Sequence, residues 1–261
     1  MIYIAFLIFT FTILFFAFYQ WQFYMIFSPT YHREGALCEK CSLISMTTDD
    51  AVQLEGAIYE PLNATNTLLV FVGRSHDAVG IINKLSTTYP HSRVVAFNYR
   101  SYGKSEGKIN EKNMFSDGVK IAQLIQKNYG DFYLVGYSIG SSVASYVATK
   151  VKVNSLFLIG AFDSIASLAK SKFVDKGYVP YINLSHVFRY KFRTGVYVQS
   201  IDSDTYLFVS KSDETTYIEN ARELKGKIKN LKLYVELDGL NHKEILWDKE
   251  VIDTINKVIN A

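Results

Sequence analysis

Cysteine is nearly absent from this chain: its 261 residues hold two, Cys38 and Cys41. No second cysteine pair and no nearby histidine pair completes a zinc site, and no redox-type strand precedes the C-x-x-C. The pair is expected to be structurally incidental, with a local disulfide becoming plausible if it faces an oxidising compartment. An excess of either charge is also missing, since 28 Lys and Arg stand against 25 Asp and Glu. The bases are scattered among acids rather than gathered in a stripe with aromatics, which excludes a nucleic-acid partner. Internal repeats and low-complexity segments are lacking, and the length leaves no room for a second full domain. Nothing in the pattern points to a metal or an organic cofactor.

Charge is absent altogether from Ile2 to Tyr19, a run of about 18 residues, near the lower limit for a spanning helix. No Lys or Arg precedes the run and no small-x-small site follows it, which argues against a cleaved signal peptide. We read residues 1–24 as a retained single-pass membrane anchor, with Trp21, Phe23 and Tyr24 as its interfacial belt. Residues 25–42 read as a linker, and Arg33 and Lys40 within it place the following domain in the cytoplasm by the positive-inside rule.

From residue 43 to 261 the pattern is that of one α/β domain. Leu43 to Met46 and Val52 to Tyr59 read as an opening hairpin. Apolar strands at Thr67 to Val72, Arg93 to Phe97, Phe132 to Val135, Ser155 to Ile159, Thr205 to Val209 and Leu231 to Val235 then alternate with helical spacing. That alternation is the mark of a parallel sheet covered by helices on both faces. A segment rich in aromatics and bases, within residues 170–200, is longer than a crossover needs and reads either as a short cap over the site or as an irregular loop.

The chemistry is concentrated where the third of these parallel-type runs ends. Gly136-Tyr137-Ser138-Ile139-Gly140 interrupts an apolar strand before small helix formers. The turn would strain Ser138 and expose its hydroxyl, with the Ile139 amide aimed at a developing oxyanion. A serine nucleophile needs a base and a carboxylate that orients the base. His242 is the candidate base because it alone among five histidines lies after a late strand; His32, His76 and His91 precede the serine, and His186 falls in the cap segment. Asp213 follows a strand at its carboxyl end, where ligands bind in open α/β sheets. Asp163 is its rival, Glu214 would point elsewhere, and Asp202 and Asp204 lie before the strand. The backbone of Arg74, in the turn Val72-Gly73-Arg74-Ser75-His76, is the expected second oxyanion donor.

The order Ser138, Asp213, His242, preceded by Asn98-Tyr99-Arg100-Ser101-Tyr102-Gly103-Lys104-Ser105-Glu106-Gly107, resembles the α/β-hydrolase superfamily. The Tyr99 to Gly107 spacing and Phe162-Asp163-Ser164-Ile165 resemble its anchored, serine-aminopeptidase-like branch, which includes thioesterases and carboxylesterases. The resemblance implies a mostly parallel eight-stranded sheet and a serine hydrolase acting on an ester, thioester or amide of a small acyl or lipid-like substrate. Two positions depart from that branch: Val72-Gly73-Arg74 stands where a His-Gly-Asn type sequence is usual, and Ser101 where glycine is common. The altered turn leaves a second reading open, a membrane-tethered binding protein that keeps the fold without the chemistry.

Overall fold

The computed structural model describes residues 2–175, 177 and 188–261. Its first element is helix α1 (Ile2–Ile26). Tyr3–Ile26 is long and apolar enough to cross a membrane by length and composition. The helix outruns the expected anchor by two residues, and the stretch after it is no free spacer. Ile26 and Phe27 are buried in the core, Arg33 forms ion pairs with Glu55 and Asp77, and Cys38 and Cys41 form a disulfide rather than an incidental pair.

The domain is built on one sheet. Strands β1 (Cys41–Thr47), β2 (Gln53–Tyr59), β3 (Asn66–Phe71), β4 (Ser92–Phe97), β5 (Tyr133–Tyr137), β6 (Ser155–Ile159), β7 (Asp204–Ser210) and β8 (Leu231–Leu237) lie in the order β1-β2-β4-β3-β5-β6-β7-β8. The opening hairpin and its junction with β4 are antiparallel, and every pairing from β4 to β8 is parallel. Buried apolar side chains run unbroken through the middle strands, as in Leu156 to Ile159, because helices cover both faces. After α2 (Ile82–Thr88), helix α3 (Glu111–Tyr129) starts where the Asn110 side chain accepts from the Asn113 amide, and buries Met114, Phe115, Ile121, Ala122 and Ile125 at helical spacing.

After β3 the chain lays β4 on one side and then returns to place β5 on the other. The carboxyl ends of β3 and β5 therefore flank the switch point, where an open α/β sheet leaves a crevice. Ser138 follows β5 and the turn at Gly73 follows β3. Of the cap segment, residue 176 and residues 178–187, with His186, lie outside the described residues. Lys170 to Val174 forms a wide π turn that extends α5 (Ile165–Ala169), and α6 (Thr194–Tyr197) and α7 (Ile218–Lys225) follow later in the chain.

Candidate active site

Ser138 occupies the junction between β5 and helix α4 (Ile139–Ala148), with φ +55° and ψ −123°. A non-glycine residue reaches that region only when its surroundings force it there. The two glycines of the turn show how tight they are. A Cβ on Gly140 would stand 2.1 Å from the Phe71 carbonyl oxygen, and one on Gly136 would stand 2.6 Å from the Ser141 Cα. Ile139 is the first residue of α4, so its amide has no acceptor within the helix and faces the space beside Ser138.

His242 is brought to Ser138 from the far end of the chain, with its Nε2 2.9 Å from the Ser138 Oγ. Its position is fixed in several ways. It opens the short helix α8 (His242–Ile245), where Asn241 caps the Lys243 amide at 3.0 Å and Glu244 accepts the Asn241 amide at 2.7 Å. Tyr137 donates its hydroxyl to the His242 carbonyl at 2.9 Å and stacks its ring on the imidazole at 5.3 Å. Burial pushes the Tyr137 hydroxyl pKa up, and the charge of Asp213 adds to this, which keeps it a donor. Sequence reasoning passed over Tyr137, although it is the first of the two variable residues of the G-x-S-x-G turn.

Asp213 closes the chain of contacts, its Oδ2 accepting from the His242 Nδ1 at 2.6 Å. Since a carboxylate only accepts, this bond holds the proton on Nδ1 and leaves a lone pair on Nε2. The loop after β7 presents Asp213 through three further donors: the Thr215 and Thr216 amides on Oδ1 and the Thr216 hydroxyl on Oδ2. Burial pushes the carboxyl pKa up, but the bonds from His242 and Thr216 outweigh it and hold the group below its ordinary value. Asp163 is elsewhere, gripped by Lys227 at 2.6 Å.

The turn after β3 is held by the segment that carries the branch resemblance. Tyr99 donates to the Val72 carbonyl at 2.8 Å and Tyr102 to the Arg74 carbonyl at 2.6 Å. The side chain of Arg74 caps the Met25 carbonyl at the end of α1. Gly73, Arg74, Ser138, Ile139 and His242 line one cavity of about 560 Å³. His76, set aside as a base because it precedes the serine in the chain, lines it too and packs edge-on against Tyr137 at 5.4 Å. Burial lowers the pKa of His76, so the ring is biased toward its neutral form. Among the described residues no group of three or more His, Cys, Asp or Glu converges to hold a metal ion.

A strained serine after the central strand, an acid after β7 and a histidine after β8 on this sheet order decide the architecture. The chain has the α/β-hydrolase fold. A family model described as alpha/beta hydrolase fold matches residues 71–181. Over 90% of this chain and 97% of the other, the structure is similar to the esterase Pf2001 of Pyrococcus furiosus, with TM-score 0.67 and 19% identity. In sequence the chain is similar to uncharacterized protein R595 of Acanthamoeba polyphaga mimivirus, 23% identical over 88% of this chain and 85% of that one. A shorter match, 34% identical, spans 30% of this chain and 22% of the lysophosphatidylserine lipase ABHD12 of Danio rerio. The α/β-hydrolase domain thus holds its candidate site at the switch point, facing the end of α1.

Proposed function

We propose that this protein is a membrane-anchored serine hydrolase that cleaves an acyl ester or thioester, or an amide, through an acyl-enzyme. The observation that carries the reading is the continuous hydrogen-bonded line from Ser138 through His242 to Asp213, at 2.9 and 2.6 Å, opening on an apolar cavity. In this reading the His242 Nε2 takes the Ser138 proton as the Oγ attacks the substrate carbonyl carbon. The carbonyl electron pair moves to oxygen, where the Ile139 and Arg74 amides receive the negative charge. As the intermediate collapses, the bond to the leaving group breaks and that group takes the proton from His242. Water then repeats the sequence, losing a proton to His242 and releasing the acid and free Ser138. Asp213 holds the imidazole in the tautomer that each step needs and balances its transient positive charge.

The helix α1 serves here as the anchor, and the substrate is a small acyl or lipid-like molecule. Similarity to an esterase and, over a short stretch, to a lipase supports hydrolysis of acyl esters. A fluorophosphonate probe applied to membranes carrying wild type or Ser138→Ala tests the proposal. Labelling at the mass of the protein, lost in the variant, is expected. A folded wild type that stays unlabelled would overturn it in favour of a tethered binding protein.

A further inference from the structure

The end of α1 is part of the folded domain. Gln22, 2% exposed, accepts the Arg189 amide at 2.7 Å. Phe27 packs edge-on against Tyr190 at 4.8 Å. Past the helix, the Ser28 amide donates to the Tyr102 hydroxyl at 2.9 Å, and that hydroxyl donates to the Arg74 carbonyl. Arg74 in turn caps Met25. A membrane helix used only as a tether needs none of these contacts.

The same turn reaches the cavity. Trp21, Met25 and Ile26 line it together with Ser138, alongside Phe162, Leu168 and Phe188. At ~1.5 Å per residue, a hydrocarbon core of ~30 Å takes up about the first 20 residues of α1. That span ends at Trp21, which, 43% exposed, sits at the interface aromatics prefer, and Gln22 to Ile26 stand at the headgroup level. The mouth of the pocket is placed where the ester carbonyl of an amphiphile resides, and its volume suits one ligand of moderate size rather than a two-chain lipid.

We infer that Trp21, Met25 and Ile26 form the wall against which a single acyl chain lies, so that the membrane helix itself sets chain-length preference. The inference rests on the hydrolase reading above and adds its substrate subsite. A long chain gains the apolar contact of this wall and an acetyl group does not reach it, so truncating the wall penalises long chains selectively.

The test uses the full chain in liposomes and measures kcat/KM for acetyl, octanoyl and dodecanoyl esters of one chromophoric alcohol. In Met25→Ala and Trp21→Ala the dodecanoyl to acetyl ratio should fall about tenfold, the range that a missing apolar contact commands in a specificity pocket. Met25→Trp, which fills the groove, should move the optimum to the shorter chains, and Met25→Leu should restore the wild-type profile. Leu14→Ala, on the same helix outside the pocket, should leave the ratio unmoved. Fluorophosphonate labelling of each variant shows that its site is assembled. Labelled alanine variants with the wild-type ratio would overturn the inference while the hydrolase reading stands; a wild type that neither labels nor cleaves any ester would overturn both.

Discussion

Replacing Asp213 by Asn changes one oxygen for an amide nitrogen, and the structure determines which one. Oδ1 accepts two backbone amides, from Thr215 at 2.7 Å and Thr216 at 2.9 Å. Neither donor can turn away, so in Asp213→Asn the amide oxygen must take that side and the nitrogen must take the side of Oδ2, 2.6 Å from the His242 Nδ1. There it donates where the wild-type carboxylate accepts, while the Thr216 hydroxyl rotates to accommodate it. The imidazole is driven to carry its proton on Nε2, which then donates to Ser138 and has no lone pair to remove its proton. The fold is undisturbed and the base is lost. An acid-to-amide change that traps the wrong tautomer lowers kcat about ten-thousand-fold, or about 5.5 kcal/mol at ~1.4 kcal/mol per factor of ten. Steady-state kcat on a short-chain ester, with the rate of fluorophosphonate labelling beside it, reads the effect. Asp163→Asn serves as the comparison, because Asp163 is paired with Lys227 while the His242 Nδ1 is held by Asp213; it should lose less than about tenfold. A loss of less than about tenfold in Asp213→Asn, with an unchanged melting midpoint, would refute the assignment of Asp213 as the orienting acid.

His76 supplies a prediction about stability. Burial holds its pKa below the unfolded value of about 6.5, so below that pH the unfolded chain binds the extra proton first and stability declines as pH falls toward the folded pKa. The stability advantage of wild type over His76→Gln, measured by chemical denaturation, should therefore shrink between about pH 7.5 and about pH 5.5; an advantage that stays constant would sink the argument. The bond between Cys38 and Cys41 supplies the other. Disulfides persist on the oxidising side of a membrane, so both cysteines should resist alkylation in freshly lysed membranes until a reductant is added. Free thiols in that experiment would return the domain to the cytoplasm, as the count of Arg33 and Lys40 expects.

The parts of the molecule that could be read in the sequence are those whose cause is local. The alternation of apolar strands with helical spacing follows from a sheet covered on both faces, and Ser155 to Ile159 was delimited to the residue. Ser138 was visible because its turn tolerates only glycine two residues to either side. His242 and Asp213 could be ranked because chain order limits which loops return to the nucleophile. The packing of α1 on the domain could not be seen, since Gln22, Trp21 and Met25 look like the ordinary end of a membrane segment until Arg189 and Arg74 are placed against them. For the same reason the positive-inside count was weak: Arg33 is engaged by Glu55 and Asp77, a folded-domain role that the count cannot distinguish from a topological one. Ser101 gave a legible signal of another kind. Its φ of +67° explains why glycine is usual there, and its hydroxyl compensates by donating to the Gly107 carbonyl at 2.8 Å.

The departure at Val72-Gly73-Arg74 also has a physical account. An oxyanion donor must be rigid, because reorganisation at the moment of reaction forfeits its electrostatic value. Here rigidity comes from outside the turn. Tyr99 and Tyr102 grip the carbonyls of Val72 and Arg74. Their own segment is fixed where Arg100 makes a two-pronged pair with buried Asp117, at 2.8 and 2.9 Å, and another with Asp50, at 2.6 and 2.8 Å. Removing one partner of the buried Arg100–Asp117 pair costs about 3–5 kcal/mol, so the segment is held firmly. The Arg74 side chain, spared from holding the turn, is available to cap Met25. The substitution that made the turn look defective is thus the residue that joins it to α1, so that the contact with the Met25 carbonyl and the amide proposed to stabilise the oxyanion belong to one residue.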